Sequence, residues 1–238
     1  MSAGTDGKRR RLHHAWESRS MRTLVLLYEL ELDFELVVHS FRRSLYRDDS
    51  YRRLSPAGRV PCLEDGEVVL FETGAIAEYL TETYPEKGLG RLPGDPERWE
   101  YLQWLHFAET IAQHIASLTQ QHVVLREPWM RSPAVIKYET MRLARCLGVL
   151  EERLEGREFL LASGFSAADC QTGYSVEAAR RFVRLDQFPR LAAYRERLLA
   201  RPSFRRAQPP PDAERLYTRE FYEAPPVVPP AAGEGRDG

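Results

Sequence analysis

The segment Gly58-Arg59-Val60-Pro61-Cys62-Leu63-Glu64-Asp65-Gly66-Glu67-Val68-Val69-Leu70-Phe71-Glu72-Thr73-Gly74-Ala75 decides how the chain is read. Val60 to Leu63 and Val68 to Phe71 are short strand-like runs. Asp65-Gly66 between them is a strong hairpin-turn signal, so the two runs are expected to pair antiparallel. Pro61 stands directly before a strand, where the loss of its N–H is ordinarily a defect. One resolution is a cis Val60–Pro61 bond that turns the Val60 backbone outward as a free strand edge; a trans proline at an edge strand is the other. A helix is expected from about Glu72 to Thr83, closed by Pro85. The start of a helix offers unpaired N–H groups and a partial positive charge, which suit a carboxylate. Thr73 can add a hydroxyl donor there and Glu72 can accept from an ammonium group, a pair fitted to the amino-acid end of a ligand. Thr73 can equally cap its own helix.

Upstream, Arg11 to Ala15 reads as a strand. Met21, Leu24, Val25, Tyr28 and Leu32 follow at close to a 3.6-residue period, and Glu35 to His39 is a second strand of a βαβ unit. Ser18, between first strand and first helix, either caps the helix or points its hydroxyl at a bound thiol. Downstream of Arg91-Leu92-Pro93-Gly94-Asp95-Pro96 the pattern is helical throughout. Tyr101, Trp104, Leu105, Ala108, Ile111, Ala112 and Ile115 form one apolar stripe, and Met141 to Leu154 and Leu191 to Leu199 are further amphipathic stretches. The order predicts a small mixed α/β domain over residues 9–86, an all-helical domain over 95–207, and a tail over 208–238. That tail holds seven of the sixteen prolines and is expected to be partly disordered, with the aromatics of Glu214 to Tyr222 docking it onto the body.

Composition removes several function classes. Among 238 residues, 34 Lys and Arg offset 35 Asp and Glu, so the basic excess of a nucleic-acid binder is missing. No apolar run approaches the roughly 20 residues of a membrane span, and no export signal follows the basic Lys8 to Arg11 stretch, which reads as a solvated arm. Cys62, Cys146 and Cys170 are widely spaced and form no CxxC pair, which fits a reducing, cytoplasmic setting. His13-His14 lacks a third ligand at suitable spacing, and His106, His114 and His122 fall on different sides of a helix, so no metal is expected. Ser166-Ala167-Ala168-Asp169 matches a capping box, with Phe165 and Cys170 placed for a hydrophobic staple; both are assigned to folding.

In this order and spacing the chain resembles the glutathione transferase family, in its bacterial-type cytosolic, serine-type form, from Leu12 to Ala207. The residues that carry the resemblance are Leu12-His13-His14-Ala15 with Ser18-Arg19-Ser20, and Pro56 to Pro61 with Leu63 to Gly66. Leu70 to Leu80, Phe165 to Asp169, Phe188 to Tyr194 and Arg201 to Phe204 complete it. The resemblance implies a thioredoxin-like N-terminal domain with a mixed four-stranded sheet, an all-helical C-terminal domain, and a homodimer. It implies glutathione as co-substrate, with Val60 pairing its backbone beside a cis Pro61, Arg59 near the glycyl end, and Glu72 and Thr73 on the γ-glutamyl group. Ser18, with Ser20 as contender, is implied as the thiol-activating hydroxyl. Trp104 and Phe107 are implied as walls of the electrophile pocket, although Trp104 also lies on the core stripe. The implied reaction joins the glutathione thiolate to a small hydrophobic electrophile; a glutathione-dependent peroxidase or reductase and a non-catalytic glutathione-binding module are the alternatives. Two departures stand out. Glu17 falls where serine-type relatives place their hydroxyl, and a carboxylate there would raise a thiol pKa. Arg19 stands where cysteine-type members have their cysteine.

Overall fold

The computed structural model describes residues 10–41 and 45–224. Residues 1–8 and the proline-rich end from Pro225, where looseness was expected, lie outside that range. Four strands, β1 (Arg11–His14), β2 (Glu35–Val38), β3 (Cys62–Asp65) and β4 (Val68–Phe71), form one sheet in the order β2-β1-β3-β4. β1 and β2 run parallel, which requires a crossover, and α1 (Ser20–Glu29) supplies it. β3 pairs antiparallel with β1 and with β4, with Leu63 opposite both Leu12 and Leu70. Gly66 takes the left-handed φ of +64° that the hairpin turn requires. A short helix α2 (Asp49–Arg52) lies between β2 and β3, and α3 (Thr73–Thr83) follows β4.

Two boundaries differ from the sequence reading. β3 starts at Cys62, leaving Val60 and Pro61 outside the ladder. The first helix stops at Glu29 instead of reaching Leu32. Glu31 adopts a left-handed φ of +56°, and the Leu32 N–H bonds back to the Leu27 carbonyl at 3.1 Å, a Schellman stop made without glycine.

The remainder is helical: α4 (Arg98–Thr119), α5 (Pro133–Arg153), α6 (Ala167–Ala179), α7 (Pro189–Leu199) and α8 (Pro202–Arg206). The predicted stripe from Tyr101 to Ile115 is the buried face of α4. α5 begins at Pro133, capped by the Ser132 hydroxyl accepting from the Val135 N–H, and its first turns bury only Ile136, too sparse a pattern to read by period. α6 is the central helix, packed against α1 and α4. Its small residues permit that approach: a Cβ on Gly173 would lie 2.7 Å from the Phe204 ring. The capping box forms at its start. The Asp169 carboxylate accepts from the Ser166 N–H (2.8 Å), and further from the Leu160 N–H (3.1 Å) and the Tyr194 hydroxyl (2.9 Å). Phe165 packs on Phe159 and beneath the Arg201 guanidinium.

The basic stretch is not all solvated arm. Arg10 is nearly buried, donating to Asp65 at 2.9 Å and to the Tyr84 hydroxyl at 2.6 Å, so it staples the hairpin to the end of the first strand. Beyond α8 the chain crosses back over the body. Tyr217 and Tyr222 are buried against Phe182, which is the docking expected of those aromatics. No helix among the described residues is long and apolar enough to cross a membrane.

Candidate active site

β1 ends at His14, and a tight turn, Ala15 to Arg19, carries the chain into α1. This turn, the exit of β2 at His39 to Phe41, the loop Gly58–Val60 and the last turns of α4 enclose a cavity of about 760 Å³. Ser18 lines it. The Ser18 hydroxyl donates to the Ala15 carbonyl (2.7 Å), accepts from the Ser20 N–H (3.2 Å), and lies 2.8 Å from the Ser20 hydroxyl. Ser20 is wholly buried and accepts from the Ala15 N–H at 3.1 Å, while His14 Nδ1 lies 2.7 Å from its oxygen.

The proton positions in this chain can be assigned by accounting. Burial holds the His14 pKa down at about 3, so the ring is neutral, and its Nε2 is buried without a partner. A stranded buried donor is costly, which places the single proton on Nδ1, donating to Ser20. Ser20, already accepting from two N–H groups, has its own proton within reach of both the Ser18 hydroxyl (2.8 Å) and the Ala15 carbonyl (3.2 Å). The hydroxyls form a line, His14 to Ser20 to Ser18, that ends at the cavity.

Glu17, next to Ser18, has a left-handed φ of +59°. Its carboxylate accepts from the Leu216 and Tyr217 N–H groups (2.8 and 3.0 Å) and from the Arg181 guanidinium (3.0 Å). Its carbonyl accepts from the Tyr174 hydroxyl at 2.8 Å. The charge that threatened to oppose a thiolate is therefore spent on the C-terminal arm. Arg19 is likewise tied, to Glu109 at 2.8 Å and to the Ala112 carbonyl at 3.2 Å.

The Val60–Pro61 bond is cis. Tyr51 and Ser55 hydroxyls both donate to the Arg59 carbonyl (2.8 and 2.9 Å), fixing the loop that presents Arg59 and Val60 to the cavity. Gly58 is required here: its φ is +60°, and a Cβ would fall 2.5 Å from Tyr46 Cα.

A second, smaller cavity of about 300 Å³ lies at the start of α3, lined by Glu72, Thr73, Gly74, His106 and Glu109 together with Arg22. Glu72 is exposed, at a φ of +78°, directly before the first turn of α3. The Thr73 hydroxyl does not cap its own helix. It accepts from Arg22 at 3.1 Å, and Arg22 is buried with further bonds to Glu109 (2.9 Å), the Ala108 carbonyl (2.8 Å) and Ser175 (2.9 Å). Burial pulls the Arg22 pKa below its usual value and Glu109 opposes the shift, so the cation persists beneath Thr73. Arg22 was not singled out from sequence. Its signal was an arginine inside the run from Met21 to Leu27, whose other members except Thr23 are apolar.

Residues 10–82 match the model of the glutathione S-transferase N-terminal domain and residues 119–202 that of the glutathione S-transferase C-terminal domain. The chain belongs to the glutathione S-transferase family. Similar relatives include a glutathione S-transferase of Silene vulgaris, 31 % identical over 78 % of this chain and 89 % of its own. One of Hyoscyamus muticus is 28 % identical over 79 % of this chain and 91 % of its own. Among solved structures, a glutathione transferase of Phanerochaete chrysosporium in complex with oxidized glutathione superposes with a TM-score of 0.76 at 26 % identity, covering 84 % of this chain and 95 % of that one. A glutathione transferase of Methylococcus capsulatus does so with a TM-score of 0.71 at 29 % identity, over 83 % and 96 %. The thioredoxin-like sheet and the helical remainder are those of this family.

Within the glutathione S-transferase frame, the expected site residues sort into three places. Ser18, Arg59 and Val60 meet at the larger cavity, and Glu72 and Thr73 line the smaller one. Ser20 is enclosed and reaches the cavity only through Ser18. Trp104 and Phe107 do not line the larger cavity. Trp104 is core, edge-on to Phe107 and beneath Arg153, while the α4 wall comes from Ala112, Ile115, Ala116 and Thr119 further along. The stripe reading of Trp104 holds because α4 passes the turn only in its later half. His106, His114 and His122 face three different partners: Glu78, Glu139 and the Phe182 ring.

Proposed function

We propose that this chain is a glutathione transferase that joins the glutathione thiolate to a small hydrophobic electrophile, with Ser18 as the thiol-activating hydroxyl. The observation that carries the reading is the run of contacts from His14 through Ser20 to Ser18, which ends in a cavity that Val60 also lines. The Val60 backbone suits the cysteinyl unit as a short strand addition. Glu72 and Thr73 suit the γ-glutamyl end: Thr73, held by Arg22, has its proton free for a carboxylate, and Glu72 accepts from the ammonium. Arg59, exposed at the cavity rim, suits the glycyl carboxylate.

A free thiol with a pKa near 8.5 is only a few per cent thiolate at neutral pH. Lowering it by about 2 units requires about 2.7 kcal/mol of preferential stabilisation of the anion. On binding, the Ser18 proton turns from the Ala15 carbonyl to the sulfur. A hydrogen bond to a charged acceptor contributes about 1.5–3 kcal/mol, and donation from His14 through Ser20 strengthens it. The start of α1 adds the partial positive charge of its helix dipole. The thiol proton leaves to solvent. The thiolate then forms a carbon–sulfur bond as the leaving group departs with its electron pair, or adds to a polarised double bond that takes up a proton.

None of the three cysteines lines the larger cavity, which favours transfer over mixed-disulfide chemistry. The homodimer, which light scattering checks, belongs to the same proposal.

The test is ultraviolet difference spectroscopy of glutathione added to the protein from pH 5 to 9. A thiolate band well below pH 8 that moves up by about 1–2 units in Ser18→Ala is expected. Binding without that band returns the protein to a glutathione-holding module, and no binding removes the site assignment.

A further inference from the structure

We infer that the arm from Glu214 to Tyr222 is the specificity-determining wall of the cavity that receives the second substrate, and that Glu17 is the positioning residue that holds it there. This rests on the transferase reading above. The arm lies beyond residue 202, where the family-domain match ends.

Its attachment spans both halves of the fold. On the sheet side, Ser40 after β2 donates to Glu214 at 2.6 Å, and Glu17 takes the N–H groups of Leu216 and Tyr217. On the helical side, the Tyr217 hydroxyl lies 2.9 Å from that of Thr119 at the end of α4, and the Tyr222 N–H donates to the Arg181 carbonyl at 2.7 Å. Arg181 completes the clasp, donating to Glu17 and to the Arg219 carbonyl (2.8 Å) while its guanidinium covers the Tyr217 ring. One carboxylate thus receives two consecutive backbone donors and a guanidinium, on a residue held at a left-handed φ that side chains disfavour. A residue conformationally unfavourable in isolation is held in place by the arm it binds.

Stretched between those anchors, Leu216 and Tyr217 line the same cavity as Ser18. The facing surface is largely apolar, with Ile115 and Ala116 from α4 and the exposed Phe41 and Val124, and Gln113, Ser117, Thr119 and Gln120 are interspersed among them. Among the arm residues Leu216 is the half-buried aliphatic one, and the Tyr217 hydroxyl is engaged by that of Thr119 on the α4 wall. The chemistry such a chamber accepts is an uncharged electrophile carrying an aryl or alkyl group. Its admissible size is set by Leu216.

The experiment compares Leu216→Ala, Leu216→Phe and Glu17→Ala in the full chain. Two electrophiles are used, 1-chloro-2,4-dinitrobenzene and the bulkier phenethyl isothiocyanate, alongside glutathione binding and the affinity for the uncharged apolar dye N-phenyl-1-naphthylamine. Leu216→Phe is expected to shift the ratio of kcat/KM between the electrophiles by about tenfold toward the smaller one, and Leu216→Ala the other way. The KM for glutathione and the titration of its bound thiol stay put in both. Glu17→Ala should erase the preference and open the arm to limited proteolysis. An unchanged ratio in both Leu216 variants, with glutathione bound and ionised, overturns the inference and leaves the transferase reading standing. If the unsubstituted protein binds no glutathione, the transferase reading fails. Dye affinity then decides the arm alone: a change of about tenfold at Leu216→Phe keeps it as the wall of an apolar site, and no change removes it.

Discussion

Acid should weaken this fold through one imidazole behind the proposed catalytic turn. His14 is fully enclosed and its pKa is held at about 3, against about 6.5 in an unfolded chain; burial is the main cause, opposed by the Ser20 bond and assisted by His39. Between those two values the unfolded chain binds a proton that the folded chain refuses. Stability therefore rises with pH across the window and is lost as pH falls from about 6.5 toward 3. Integrating that difference from pH 7 to pH 5 gives about 2 kcal/mol, and a folded pKa a unit higher would leave the figure almost unchanged. For a chain of this length that is about 4–8 °C in Tm. The assay is thermal or urea denaturation of the unsubstituted protein and His14→Asn at pH 7 and pH 5. Both carry the other titrating groups, His39 and His122 included, so the difference between their pH responses isolates His14. The variant should be less stable at pH 7 yet lose about 2 kcal/mol less on acidification. Equal losses in both, or an imidazole resonance of His14 titrating near pH 6.5, would refute the reasoning.

Other outcomes follow from single contacts. Asp169→Ala strands the buried Leu160 and Ser166 N–H groups and the Tyr194 hydroxyl, and should cost about 3 kcal/mol or more in urea unfolding, against about 1 kcal/mol for Ser166→Ala. Thr73→Val removes the hydroxyl above Arg22 and should weaken glutathione binding about tenfold by calorimetry without moving the thiol titration. Burial pushes the Cys62 thiol up to about 11 and that of Cys170 well above its usual value, while Cys146 is half-buried. A disulfide reagent at pH 8 should therefore modify at most one thiol in the native protein and three in denaturant; three in the native state would contradict the packing.

What was legible in the sequence was local. The hairpin at Asp65-Gly66, the βαβ start, the α4 stripe and the capping box each depend on residues within one or two turns, and periodicity or turn chemistry reports them directly. The placement of Thr73 and Glu72 at the start of α3 was legible for the same reason. Three features were not. Arg22 reads as a break in an apolar stripe until Thr73, Glu109 and Ser175 surround it. Trp104 and Phe107 sit on α4, but only the register of the helix against the turn shows that later residues reach the cavity. Glu17 read as a charge opposing a thiolate, because its partners lie 199 and 200 residues away and no local pattern encodes them.

That separation has a consequence for how the molecule is made. Synthesis proceeds at about 5–20 residues per second, so some 200 residues place about 10–40 s between the emergence of Glu17 and of its partners. The N-terminal sheet can assemble in that interval, yet its serine turn would then sit beside a carboxylate with neither the arm nor Arg181 to occupy it. A nascent or truncated chain of this kind would meet glutathione with the wrong local charge. On the proposed mechanism the turn around Ser18 is complete only once Leu216 and Tyr217 have left the ribosome and taken up the Glu17 carboxylate.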